Sequence, residues 1–285
     1  MAGRFWSKDG SWNPIRGCSA RHDGTCKARC WAASLAGTRL AHLPQYAGLT
    51  EPDGHGGFRW TSKVRFDAEE LAKPRHWRKP RVVLLSLMGD LFDPQVTEEQ
   101  IEAVYGVMAA CPQHVFLVLT KRAERRRDFS HRMYATGILD PRKAVHQCPL
   151  PNVWEGVSVC DQADAAERIP ILLQTPAAHR WVIAEPLLGP VDLDIDIGQG
   201  VGDLASDRLG HGLDWLVVGA ETGSGARTCK AEWIEDIVRQ CQAAGVPMFV
   251  KAAPPRSGVG PEDDHMRLDH WVPRPWPREL AWRQG

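Results

Sequence analysis

Cysteine is the residue type whose spacing in this chain points most directly to chemistry. Cys18, Cys26 and Cys30 share one short stretch, separated by seven and then three residues, and Trp31 follows at once. Three thiols are the wrong number for paired disulfides. Three thiolate ligands also leave one position open on a tetrahedral ion or a four-iron cluster, and an open position is where a second molecule can be bound and activated. His22 lies between the first two cysteines, so a closed Cys3His zinc site is available from the same stretch. Cys111, Cys148, Cys229 and Cys241 lie far apart in the sequence and read as spectators.

A second set of candidates consists of polar residues that directly follow short apolar runs. These are Ser86 and Asp90, Thr120 with Lys121 and Arg122, Ser158 with Cys160 and Asp161, then Glu185, Glu221 and Lys251. One such residue alone ends a strand or caps a helix in most α/β proteins. A set that recurs at nearly every run, beside a three-cysteine stretch, points to a cofactor site.

The scaffold that must hold these residues is legible in outline. At 285 residues and 43% hydrophobic content, the chain can bury the core of one large α/β domain or two small ones. The formal net charge is zero, so no overall field favours nucleic acid or a membrane surface. Eight cysteines are too dilute for a disulfide-built scaffold. The N-terminal residues form no apolar signal segment and no run reaches transmembrane length, so the expectation is a cytoplasmic protein with no membrane partner. Apolar, β-rich runs at 81–87, 114–119, 152–159, 179–184, 214–218 and 246–250 predict strands. Thr97 is the expected N-cap of a helix with Glu98 and Glu99 in its first turn, and Gly245 the expected stop of a helix over 232–244. With a first strand before Cys18, this pattern predicts an α/β fold. Its expected form is a partial (β/α), TIM-like barrel of about six to seven parallel strands, with functional groups at the C-terminal strand ends. The expected barrel occupies 1–253, with the cysteine loop at 18–30. A long Gly-rich loop covers 198–212, and a Pro/Arg/Trp-rich extension covers 254–285.

Several motifs, taken in order, carry a resemblance. They are Trp12-Asn13-Pro14 with Gly17-Cys18, Cys26 and Cys30; Met88-Gly89-Asp90-Leu91-Phe92; Leu119-Thr120-Lys121-Arg122; and Gly156-Val157-Ser158-Val159. They continue with Ala184-Glu185-Pro186-Leu187-Leu188-Gly189-Pro190, the stretch Gly219-Ala220-Glu221-Thr222-Gly223 through Arg227, and Ala244-Gly245-Val246-Pro247 with Lys251. Over residues 6–253 the chain resembles a phage-associated, three-cysteine family of unknown function related to the radical S-adenosylmethionine enzymes. The resemblance implies a partial barrel of the radical SAM type with a [4Fe-4S] cluster on Cys18, Cys26 and Cys30. S-adenosyl-L-methionine would bind the fourth iron and be cleaved reductively to a 5′-deoxyadenosyl radical. It implies an external reductant such as a flavodoxin-like protein.

By the same analogy Glu221 is the candidate for the amino group of S-adenosylmethionine, with Glu185 its rival. Ser158 and Trp31 complete the cofactor set, the indole as an aromatic shield. Asp90, Lys121 and Cys160 are the candidate catalytic groups: Asp90 as an acid–base group or ribose ligand, Cys160 as a hydrogen donor or else a buried spectator. Arg122, Arg227 and Lys251 are the candidate substrate ligands, able to hold carboxylates or phosphates. Two departures from the family pattern stand out. The final cysteine gap is one residue longer, and Cys160 stands where the family tends to carry an acid.

The phage setting implied by the resemblance suggests an isomerase or related enzyme. Its substrate would be a hypermodified thymine, carrying an amino-acid adduct, in phage DNA within the host cytoplasm, and its purpose evasion of host restriction. Basic clusters at 73–81 and 121–127, and Arg274, Arg278 and Arg283 interleaved with Trp271, Trp276 and Trp282, suit a nucleic-acid backbone and stacked bases, or equally a solvated face. Two alternatives stay open. One is a radical enzyme acting on RNA, a peptide or a small metabolite; the other is a non-catalytic, zinc-stabilised nucleic-acid-binding protein.

Overall fold

The structure is a computed structural model that describes residues 10–19, 30–136, 149–193, 212–222 and 225–252. Cys26, His22, Cys148, the greater part of the 198–212 loop and the basic, Trp-rich extension lie outside the described residues. Eleven strands lie within them, in chain order. β1 is Ser11–Trp12, β2 Ile15–Arg16, β3 Thr50–Pro52, β4 Phe58–Trp60, β5 Arg65–Phe66 and β6 Val82–Leu85. β7 is Val115–Thr120, β8 Val153–Val159, β9 His179–Ala184, β10 Trp215–Gly219 and β11 Met248–Ala252. The helices are α1 (Trp31–Gly37), α2 (Ala68–Ala72), α3 (Glu98–Ala109), α4 (Ala123–Thr136), α5 (Gln162–Gln174) and α6 (Ala231–Ala244).

One sheet has the order β1-β6-β7-β8-β9-β10-β11, and β2 with β5 and β3 with β4 form two small antiparallel ribbons. In the sheet each strand neighbours the next one in the chain, apart from the insertion of β2–β5. That is the winding of a (β/α) barrel; a doubly wound sheet reverses its order at a switch point. The α/β class and the number of strands expected from the sequence therefore hold. The central strands β6, β8 and β10 are buried along their whole length, as parallel strands covered on both faces must be. Among the described residues no helix is long and apolar enough to cross a membrane.

The chain divides into two compact units, which among the described residues are 10–154 and 155–252. In the first, β1 and β7 flank β6 in parallel, with Trp12 opposite Leu85 and Phe116 opposite Val83. Trp12 and Phe116 meet at 5.5 Å between ring centroids, and Phe129 of α4 packs on Phe92 and Tyr105. Helix α3 starts at Thr97 as expected. The Thr97 hydroxyl accepts from the Gln100 N–H while the Gln100 side chain accepts from the Thr97 N–H, and Ile101, Val104, Tyr105 and Met108 face inward. A second apolar cluster forms between α1 and β4 from Ala33, Ala36, Tyr46, Leu49, Trp60 and Met88.

In the second unit, β10 lies between β9 and β11 in parallel register, Trp181 stacks near Trp215, and α6 buries Ile234, Ile237 and Cys241. Gly245 ends α6 with φ of 69°, the left-handed turn a helix stop requires. Two strands depart from the sequence expectation by more than one residue. The run at 81–87 leaves the sheet after Leu85, because Ser86 turns to φ of 53°. The last strand begins at Met248, after Pro247, which has no N–H to give to the ladder. Lys251 therefore sits inside β11 and not beyond its end.

Candidate functional site

The segment that carries Cys18 is fixed by backbone contacts before any ligand is considered. After β1, the Asn13 side chain accepts from the Met88 N–H at 3.0 Å, and the Ser86 N–H donates to the Trp12 carbonyl at 2.9 Å. The Gly17 N–H then donates to the Met88 carbonyl at 3.0 Å. Gly17 has φ of 83°, and a Cβ there would stand 2.2 Å from the Lys63 carbonyl oxygen; a Cβ on Gly89 would stand 2.8 Å from the Gly17 oxygen. The Trp-Asn-Pro…Gly-Cys and Met-Gly-Asp motifs are thus two sides of one close backbone contact, which only glycine permits. The contact delivers Cys18 to the turn that follows β6.

At that turn six side chains converge from three chain segments. Arg122, two residues past β7, donates to Asp90 at 2.9 Å and to Asp93 at 3.0 Å. The same guanidinium donates to the Ser19 carbonyl at 2.6 Å and reaches the Cys18 sulfur at 3.5 and 3.6 Å. Asp90 also accepts from the Phe92 N–H, the Lys121 N–H and the Thr120 hydroxyl. Asp93 is fully buried and accepts from the N–H and hydroxyl of Ser19. Burial pushes the Cys18 thiol up to about 12; Arg122 pulls it down, and Asp90 and Asp93 add to the rise. Burial opposes the charge on Arg122, but Asp90, Cys18 and Asp93 outweigh it and its pKa is raised. Ser86 adds a buried hydroxyl that has no hydrogen-bond partner among the described residues.

Cys30, at the far end of the cysteine stretch, is the N-cap residue of α1 without a capping side-chain bond. Cys18 and Cys30 pack against the same apolar cluster around Tyr46, Trp60 and Met88. Among the described residues no three His, Cys, Asp or Glu side chains form a metal-ligand group, and Cys26 is not among those residues. The donors present nevertheless fit a soft metal centre. Two cysteine side chains border one apolar cluster, and a guanidinium stands against one of the sulfurs, where it can compensate a thiolate. Trp31, the first residue of α1, is 58% exposed.

In the second unit the candidates fall into two ion pairs. Glu185, just past β9, takes the Lys251 ammonium on both oxygens at 2.6 and 2.7 Å. Burial raises the Glu185 carboxyl, with Lys251 opposing. Glu221 accepts from the Arg227 backbone N–H at 2.8 Å and from its guanidinium at 2.9 and 3.1 Å. Ser158 is buried in β8, and its carbonyl accepts from Arg168. Cys160 is fully buried, with its N–H on Asp164 and its carbonyl on the Leu188 N–H. Asp161 is the N-cap of α5, accepting from the Asp164 N–H.

Several residues singled out from the sequence already have partners within the chain. Arg122, expected to hold substrate, has its guanidinium bonded to two carboxylates and a carbonyl and is 10% exposed. Asp90, expected as a ribose ligand or acid–base group, takes four donors. Lys121 contributes its backbone N–H to Asp90. Arg227 and Lys251 hold glutamates of this chain, the same two that were rivals for the S-adenosylmethionine amine. The basic cluster at 121–127 is largely internal: Arg126 is buried, and Arg125 donates to the carbonyls of Asp93 and Val96. In the 73–81 cluster, Lys73 pairs with Glu70 and Arg81 lies over the Trp77 ring. Cys111, Cys229 and Cys241 are buried thiols, and burial raises the latter two to about 11 and about 12. Sequence reasoning missed Asp93 and Ser19. The spacing Asp90-Leu91-Phe92-Asp93 after one strand and Thr120-Lys121-Arg122 after the next was the available signal.

Residues 5–255 match the family described as a protein of unknown function, DUF5131, and the chain belongs to that family. No curated protein and no solved structure matches the chain.

Proposed function

We propose that this member of the family is a radical S-adenosylmethionine enzyme, with a [4Fe-4S] cluster on Cys18, Cys26 and Cys30. The observation that carries the reading is the setting of Cys18: a thiol brought by two glycines to a strand-end turn, facing a guanidinium, and sharing its apolar neighbours with Cys30. Held by those three cysteines, the cluster would supply the single electron for reductive cleavage of S-adenosylmethionine. The protein's part is to hold the thiolates, exclude water with the Tyr46, Trp60 and Met88 cluster, and orient the cofactor at the strand ends. The resemblance keeps Glu221, with Glu185 its rival, as the carboxylate we assign to the cofactor amine. For the substrate, the resemblance to a phage-associated family supports a hypermodified thymine in DNA, rearranged at its amino-acid adduct.

Protein purified and reconstituted without oxygen is expected to be brown and to contain iron and sulfide in equal amounts. With a reductant it is expected to form 5′-deoxyadenosine from S-adenosylmethionine. Colourless protein holding one zinc overturns the reading. Mass spectrometry of nucleosides from modified phage DNA, before and after incubation, tests the substrate. Unchanged nucleosides alongside active cofactor cleavage point to RNA, a peptide or a metabolite.

A further inference from the structure

Arg122 has a more specific place than charge balance alone requires. Its two terminal nitrogens each touch a different carboxylate, Nη1 on Asp90 and Nη2 on Asp93, and both also stand within 3.6 Å of the Cys18 sulfur. Nη2 further donates to the Ser19 carbonyl. Asp90 is itself locked by Thr120, Lys121 and Phe92, and Asp93 by Ser19 and Gln95. The guanidinium plane is therefore held from behind, and the sulfur receives the N–H edge that is left. A lysine could supply the charge but not the fork that reaches two carboxylates and a sulfur together.

We infer that Arg122, clamped between Asp90 and Asp93, is the positioning residue that sets the reduction potential of the centre bound through Cys18. The inference rests on the iron–sulfur reading above. Hydrogen bonds to ligand sulfur and nearby positive charge stabilise the more negative, reduced state, and so raise the potential. The two buried carboxylates act in the opposite sense. Removing the guanidinium leaves them facing the sulfur uncompensated, and the potential falls. Removing one carboxylate leaves Arg122 less compensated, and the potential rises. The opposite signs separate an electrostatic role from general damage to the fold.

The test is a redox titration of the reconstituted full-length protein, followed by the visible and paramagnetic signals of the cluster. Arg122→Gln is expected to disfavour reduction by about tenfold or more, equivalent to about 59 mV for a one-electron couple. Arg122→Lys is expected to fall between Arg122→Gln and the wild type, and Asp93→Asn to shift the opposite way. Arg132→Gln, which removes an exposed charge on α4, is expected to leave the potential unchanged. Potentials of Arg122→Gln and Asp93→Asn that match Arg132→Gln, or that move in the same direction, overturn the inference while the iron–sulfur reading stands. If Arg122→Gln retains no cluster, Arg122→Lys and Asp93→Asn decide by the same signs. Wild-type protein without iron and sulfide overturns both.

Discussion

Gly10 and Gly17 form a matched pair that tests how the cysteine segment is placed. Both have φ of 83°. An alanine at either position therefore meets the same left-handed penalty, about 1–2 kcal/mol. The stiffening of the unfolded chain, which favours alanine by about 0.4–1 kcal/mol, also cancels between the two. Their surroundings differ. Around Gly10 a Cβ meets no atom of the described residues within 4 Å, whereas at Gly17 it stands 2.2 Å from the Lys63 carbonyl oxygen and 3.3 Å from its carbon. That neighbour is backbone, so no side-chain rotation relieves the overlap, and the two chain segments must part. Overpacking of this kind costs about 1–3 kcal/mol. Gly17→Ala should accordingly be less stable than Gly10→Ala by about 1–3 kcal/mol, a large fraction of a typical total of about 5–15 kcal/mol. Urea unfolding of the metal-free variants, compared at equal m-values, measures the difference. The same displacement should loosen the Gly17–Met88 hydrogen bond and with it the position of Cys18, so Gly17→Ala should also assemble less cluster. If the two variants agree within about 0.5 kcal/mol, the close contact does not hold this segment in place.

Three further outcomes are expected. Thr97→Ala removes the N-cap of α3 and should cost about 1 kcal/mol of unfolding free energy, measured in the same denaturant assay. Burial works to raise the Asp67 carboxyl, but the Glu70 N–H and Arg16 outweigh it and hold it below the usual carboxylate range. Its folded pKa lies below the unfolded value of about 3.9, so its stabilisation is complete above that value and fades as pH falls through the folded pKa. Asp67→Asn should flatten this part of the acid limb in stability measured against pH. Lys251→Met leaves the Glu185 carboxylate without its ammonium, and should destabilise by about 1–3 kcal/mol after allowance for partial exposure of the pair. Adding Glu185→Gln should restore part of that loss, and a double variant with strictly additive losses would show that the two do not interact.

The scaffold was readable because parallel strands buried on both faces leave continuous apolar runs, such as VFLVL at 115–119 and WVIA at 181–184. The cap at Thr97 and the stop at Gly245 were readable for a similarly local reason, since a cap satisfies donors within three residues of itself. The small ribbons between β2 and β5 left no such trace. Strands of two or three residues have no period, and their pairing depends on partners far along the chain, as when Ile15 meets Phe66.

The candidate site divides along the same line. Sequence alone determined which residue types stand at the strand ends and that three cysteines share one stretch, because both follow from order along the chain. It did not determine what each charged group would face. Arg122, Arg227 and Lys251 looked equally available for an outside anion. The tertiary structure decided that they hold Asp90 and Asp93, Glu221, and Glu185. The reason is electrostatic: a buried charge must find its counter-charge, and the nearest one is fixed by which strands lie side by side, not by which residues are neighbours in sequence.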